Sequence, residues 1–184
     1  MPVFVERSEI AASDEELFRW HERPGAFERL APPWNPPRVV ERQGTIRDGD
    51  RLVFEMGGPP FRQRWVAVHR DFEQGRGFVD EQERGPFARW VHAHRFLSLG
   101  SDRSTLEDQV EYELPFGDVG SWLGGRVTQR MLKRMFRFRH TRTRNDLSRH
   151  GMFSNRDRLR IAITGSSGLV GHALAALSLI HISE

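Results

Sequence analysis

Residues 165–171, GSSGLVG, place glycines at 165, 168 and 171 directly after the apolar run Leu159–Thr164. In that spacing the first glycine permits a tight turn, the second lets backbone approach a pyrophosphate, and the third lets a helix lie close to the strand. Gly165, Ser166, Ser167, Gly168, Leu169, Val170 and Gly171 are therefore candidate contacts for the phosphates of NAD or NADP. The acid that would hold the ribose is expected about 20 residues further on, beyond Glu184. A second constellation lies on two adjoining strand candidates. Alternation puts Trp90, His92, His94 and Phe96 on one face of the first, and Leu106, Asp108, Val110 and Tyr112 on one face of the second. A turn at 100–103 sets Asp108 opposite His94, Leu106 opposite Phe96 and Tyr112 opposite Trp90. A carboxylate beside an imidazole fixes its tautomer and raises its basicity, so His94 and Asp108 form a candidate general-base pair. The competing reading is a structural hydrogen bond that satisfies two polar groups beneath a helix. His92 and His94 lack a third donor at fixed spacing, and no metal site is expected from them.

The elements that must carry these residues follow from pattern. Pro2–Ile10 alternates weakly and suits an edge strand, and Ser13 with Glu16 forms a capping box that opens a short helix. A second short helix begins at Pro24 and stops at the prolines around Trp34. Period-two strands then run over Arg38–Arg47, Arg51–Met56, Phe61–Phe72, Gly77–Arg84, Pro86–Leu99 and Ser104–Leu114, separated by glycine-rich turns that make consecutive strands antiparallel neighbours. From Asp118 a long helix carries Val119, Trp122, Leu123, Val127, Met131, Met135 and Phe138 on one face. The order is α+β, with the helix covering one face of the sheet. Phe54, Trp65, Trp90, His92, Phe96, Tyr112, Met131 and Met135 are the candidate core or cavity lining between the two layers.

Composition narrows the class. The chain has 184 residues, is 38% hydrophobic and contains no cysteine, which gives a real core and excludes disulfides, thiol nucleophiles and zinc–thiolate sites. No signal-peptide core or membrane-length apolar run is found, and a cytoplasmic location is expected. The sequence pI of about 10.4 accompanies a formal net charge of only +3. Almost every base is arginine, with Lys133 the single lysine. Arg126, Arg130, Arg134, Arg137, Arg139, Arg142 and Arg144 make the long helix basic on one side. Few aromatics interleave with them to stack bases, so a nucleic-acid partner is not expected; a solvated face is the default, with an anionic membrane surface, acidic groups of a fused domain or a regulatory partner as the alternatives.

The element order, together with LAPPW at 30–34, GPFARW at 85–90, HRF at 94–96 and YELPFG at 112–117, resembles the START/polyketide-cyclase-like superfamily (SRPBCC). It resembles in particular the version fused ahead of an atypical short-chain dehydrogenase/epimerase domain. The resemblance spans about residues 1–150 plus the glycine turn. It implies a helix-grip domain over 1–150 holding an apolar small molecule, a linker over 151–158, and the start of an NAD(P)-binding domain over 159–184. A cyclase- or hydrolase-type activity using His94 and Asp108 is the alternative the same resemblance allows. The family's Tyr-x-x-x-Lys pair is not met, since Tyr112 is followed by Phe116 where the lysine would stand. LSLIHISE at 177–184 departs from the family pattern and reads as a foreign end. The chain is thus expected to hold only the opening turn of the nucleotide domain, with weak or no cofactor binding. Residues beyond about 152 are expected to be poorly anchored.

Overall fold

The computed structural model describes all residues except 59, 61, 154, 156–160 and 180–184. In chain order the elements are β1 (Val3–Ile10), α1 (Asp14–Glu22), α2 (Ala26–Leu30), β2 (Arg38–Gln43), β3 (Arg51–Met56), β4 (Gln63–Glu73), β5 (Gly77–Arg84), β6 (Arg89–Ser98), β7 (Ser104–Glu113), α3 (Gly117–Phe153) and α4 (Leu169–Leu179). The strands form one seven-stranded sheet in the order β1-β7-β6-β5-β4-β3-β2, antiparallel throughout. Each consecutive pair from β2 to β7 is joined by a short connection, as hairpins require. β1 closes the far edge by pairing with β7, with Phe4 opposite Val110 and Glu6 opposite Asp108.

Local chemistry explains the boundaries. Ser13 accepts from the Glu16 backbone while the Glu16 carboxylate accepts from the Ser13 backbone, so the expected capping box opens α1. β2 ends at Gln43 and not at Arg47, because Gly44 takes φ +74° and the Asp50 carboxylate accepts from the Thr45 and Arg47 amides, folding 44–50 into a turn. At the start of β5 a side chain at Gly77 would place its Cβ 2.3 Å from the His94 carbonyl oxygen. Glycine there lets β5 run close against β6, which sets Asp80 opposite His92.

Helix α3 lies over the sheet with a different face from the one the apolar stripe predicted. Val119, Trp122, Val127 and Met131 are exposed, and the buried line is Thr128, Leu132, Phe136, His140, Thr143 and Leu147. The reason is polar: the sheet beneath the helix carries Asp108, which His140 meets, so a histidine and a threonine occupy positions that a purely apolar count assigns to solvent. Leu123, also placed on that stripe, has a side chain outside the described part of the structure. The core divides into two clusters. One gathers Ile10, Leu17, Phe18, Trp20, Phe78, Phe96, Leu106 and Leu147 around α1. The other gathers Leu52, Phe54, Trp65, Trp90, Val110, Tyr112, Leu132 and Phe136. Arg29 of α2 clamps α3 through a bidentate pair to Asp146, both contacts 2.8 Å and nearly dry.

Of the strand expected over Leu159–Thr164, residues 159 and 160 lie outside the described residues and 161–164 form no strand. An apolar strand of that kind is stable only when covered on both faces, and among the described residues the strands form a single antiparallel sheet that does not take it in. The segment that follows is better anchored than expected. Helix α4 packs against α2, Ala176 is buried, and Leu177 packs on the first core cluster.

Candidate functional site

Between α3 and the sheet lies a cavity of about 600 Å³. Phe54 of β3, Trp65 of β4, Phe87, Trp90 of β6, and Met131 and Met135 of α3 form apolar walls; His69, Asp80, His92, His94 and Arg139 supply polar groups. Strand alternation builds this division. Along β4 the inward residues run Trp65, Ala67, His69, and along β6, on the far side of β5, they run Trp90, His92, His94, so aromatic residues gather at one end and imidazoles at the other. Trp65 stands edge-on to Trp90 with centroids 5.2 Å apart and stacks on Phe54 at 5.6 Å.

Of the sequence-predicted lining, Phe54, Trp65, Trp90, His92, Met131 and Met135 border the cavity. Phe96 and Tyr112 do not. Phe96 sits in the first core cluster against Phe18 and His21, and Tyr112 is buried in the second. Both face the helix side as alternation requires, but neighbouring side chains cover them.

The register sets His94 opposite Asp108, Phe96 opposite Leu106 and Trp90 opposite Tyr112, the pairing the turn at 100–103 predicts. The pair is part of a larger network. Asp108 accepts from His92 Nε2 at 2.8 Å and from His140 Nε2 at 2.7 Å. His94 Nδ1 lies 2.7 Å from the same Asp108 Oδ1 that His92 uses, off the line of a well-formed hydrogen bond, so this contact is chiefly electrostatic. On its other side His94 Nε2 donates to Asp80 Oδ2 at 3.1 Å. His69 Nε2 is 2.9 Å from Asp80 Oδ1, also off-line, and His92 Nδ1 is 3.8 Å from Asp80 Oδ2. Sequence reasoning found His92, His94 and Asp108 but missed His69, Asp80 and His140. His69 and Asp80 come from strands whose register with β6 could not be fixed from sequence, and His140 from the misplaced helix face.

The electrostatics follow from burial opposed by pairing. Burial disfavours the protonated form of His94, but the carboxylates of Asp108 and Asp80 outweigh it and push the imidazole pKa up to about 9. His92 goes the other way: burial, then the charge on His94, lower it to about 4 despite its bond to Asp108. His21, buried with its Nδ1 donating to the Leu17 carbonyl at 2.8 Å, falls to about 3, chiefly through desolvation. Burial would raise both Asp80 and Asp108. The histidines around them instead hold each well below the usual carboxylate range. Arg139 lines the same cavity with its Nε buried and without a protein hydrogen-bond partner, and desolvation lowers its pKa.

At the other end of the chain, Gly165 takes φ +68° and its carbonyl accepts from the Gly168 amide at 2.9 Å. A Cβ at Gly171 would fall 2.1 Å from the Gly165 carbonyl oxygen, so only glycine allows the first turn of α4 to sit on this loop. Ser166, Ser167, Gly168 and Val170 are exposed around it, and the side chain of Leu169 lies outside the described part. A third feature is a shallow groove lined by Trp34, Arg130, Lys133, Arg134, Arg137 and Phe138, with the Arg134 guanidinium 4.1 Å from the Trp34 ring centre. Among the described residues, no helix is long and apolar enough to cross a membrane.

A sheet gripping one long helix around an aromatic-walled cavity defines a helix-grip fold. The polyketide cyclase/dehydrase and lipid transport family matches residues 10–136, and the chain belongs to that family. A nucleoside-diphosphate sugar epimerase from Corynebacterium glutamicum is similar at 30% identity and TM-score 0.75 over 97% of this chain, which spans 37% of that protein's length. The Zhui aromatase/cyclase from Streptomyces sp. R1128 shares the fold at 11% identity and TM-score 0.66, covering 84% of this chain and 98% of that one. Norcoclaurine synthase from Thalictrum flavum does so at 13% identity and TM-score 0.59, covering 81% and 87%. No curated protein matches the chain.

Proposed function

We propose that this chain is the ligand-holding module of a larger protein: it takes a small, mainly apolar molecule into the cavity between α3 and the sheet. The observation that carries the reading is the cavity itself, about 600 Å³ with Phe54, Trp65, Phe87, Trp90, Met131 and Met135 on its walls, a size and lining suited to a small organic ligand. The Arg139 guanidinium and the histidines supply the few polar groups that would orient such a ligand. The remainder of the protein is an NAD(P)-dependent epimerase or reductase in this reading. Its support is the glycine turn at 165–171 and the likeness to an epimerase of which this chain spans 37%. The amides at the start of α4 would face the cofactor's phosphates, and Gly171 keeps that approach open. The test is a thermal-shift screen of apolar compounds, with and without a carboxylate, against the whole chain. Saturable stabilisation by a subset is expected, and none across a broad set would remove the reading.

A second reading rests on a specific contact. His94 faces the cavity between the carboxylates of Asp108 and Asp80, an arrangement that could transfer a proton to or from a bound ligand, as a cyclase-type reaction needs. If His94→Gln folds normally and leaves turnover by the intact protein unchanged, this second reading is wrong.

A further inference from the structure

Asp80 Oδ2, His92 Nδ1 and His94 Nε2 converge on one point of the cavity wall, and we propose that they bind a single first-row divalent metal ion of the zinc or iron(II) kind. The proposal is independent of which organic ligand the cavity holds. One ligand atom from each of the three residues lies within 4.8 Å of the other two. Two donors on one ion at the usual metal–ligand distances near 2.1 Å are about 3.4 Å apart in tetrahedral geometry. The two separations recorded here, 3.1 Å from His94 Nε2 and 3.8 Å from His92 Nδ1 to Asp80 Oδ2, bracket that value.

The groups behind these donors are those a metal site requires. A metal-bound histidine normally donates its other ring N–H to a carboxylate, which fixes the tautomer and aims the ring. Here one carboxylate stands behind both rings: Asp108 Oδ1 accepts from His92 Nε2 at 2.8 Å and lies 2.7 Å from His94 Nδ1, a contact held by charge. The Asp108 position is fixed in turn by His140 at 2.7 Å. The His92 hydrogen is committed to Asp108, so Nδ1 keeps the lone pair, 3.8 Å from Asp80 Oδ2. Two lone pairs facing one another in a buried site repel, and a cation between them removes the conflict. The second Asp80 oxygen has His69 Nε2 at 2.9 Å, and His69 Nδ1 lies 3.2 Å from the Asp50 carbonyl, so His69 steadies the carboxylate from outside the triad.

Two imidazoles and one carboxylate on adjacent strands leave the remaining coordination positions open toward the cavity, since all three residues line it. That donor set suits zinc or iron(II) and not magnesium or calcium, which prefer all-oxygen sites. Binding displaces the Nε2 proton of His94, which passes to solvent.

The experiment uses the whole chain, stripped with a chelator and then titrated with Zn²⁺ or Co²⁺ by calorimetry and by metal analysis after dialysis. One ion per chain is expected, and Co²⁺ should give visible absorption bands from a nitrogen–oxygen site. Asp80→Asn and His92→Ala should each weaken binding by at least about 100-fold, and His69→Ala by about 10-fold, while His150→Ala leaves it unchanged. In ¹⁵N spectra of the unmutated protein, Zn²⁺ should shift His92 at Nδ1 and His94 at Nε2. Absence of binding, binding that survives both Asp80→Asn and His92→Ala, or ¹⁵N shifts confined to other histidines would each overturn the proposal.

Discussion

Replacing Asp108 by asparagine tests whether the imidazole network is held together by one carboxylate. Asp108 is 3% exposed, and three imidazole nitrogens, from His92, His94 and His140, lie within 2.8 Å of its oxygens. Asparagine keeps the shape but offers one acceptor oxygen and adds an amide that itself donates. At most one of the His92 and His140 hydrogen bonds is then kept, and the charge contact with His94 goes with the carboxylate, so two contacts are lost. Each such loss costs about 1–3 kcal/mol, giving about 2–6 kcal/mol, consistent with the 3–5 kcal/mol typical of breaking a buried charged contact. For a chain of this size about 1 kcal/mol corresponds to 2–4 °C in Tm, so Asp108→Asn in chelator-treated protein should melt about 4–24 °C lower. Thermal unfolding followed by circular dichroism, with urea unfolding at constant slope as a check on two-state behaviour, measures this. A loss below about 1 kcal/mol would refute the reasoning, because the histidines would then be satisfied without Asp108.

Asp146→Ala should cost about 3–5 kcal/mol by leaving the nearly buried Arg29 guanidinium unpaired, a loss that urea unfolding would register and that Asp146→Asn should reduce. Glu107 is buried, which raises its carboxyl pKa, but Arg95 and Arg7 outweigh this and hold it below the ordinary 4.5. Its contribution is complete above that pH and is lost as pH falls below it, since the unfolded chain takes up the proton first. Glu107→Gln should therefore flatten the acid limb of stability against pH, and an unchanged limb would exclude the pairing as its cause. Deleting residues 151–184 should lower Tm by a few degrees, since it strips Ala176 and Leu177 from α2 and the first core cluster; an unchanged Tm would show that α4 contributes nothing.

Most of the fold is legible in the sequence where local rules act alone. The capping box of Ser13 and Glu16, the strands Arg51–Met56 and Gly77–Arg84, and the pairing of His94 with Asp108 follow from period, turn residues and short connections. What escapes is decided by contact between elements distant in the chain. The buried face of α3 is set by Asp108 beneath it, so His140 and Thr143 go inside while Val127 faces out and Met131 sits half-exposed at the cavity rim. Asp80 is one charged residue in a polar stretch of β5, and nothing local marks it as the group facing three histidines; that depends on bulged pairing between β4 and β5. Phe96 and Tyr112 were legible as inward-facing, but whether an inward residue meets a cavity or a neighbour depends on packing that periodicity does not encode.

The central claim is that an apolar ligand occupies the cavity under α3, and the most direct measurement is a fluorescence titration with an apolar naphthalene probe. Trp65 and Trp90 border the cavity, so their emission should be quenched by transfer to the bound probe with a single saturable phase. Ala67, which is buried and also lines the cavity, provides the control: Ala67→Phe fills part of the space and should weaken binding by about 10-fold or more while the protein stays folded, a change of about 1.4 kcal/mol. Quenching that saturates in the natural sequence and is lost in Ala67→Phe is the predicted result. Absence of saturable quenching, or equal affinity in the two proteins, would contradict the account.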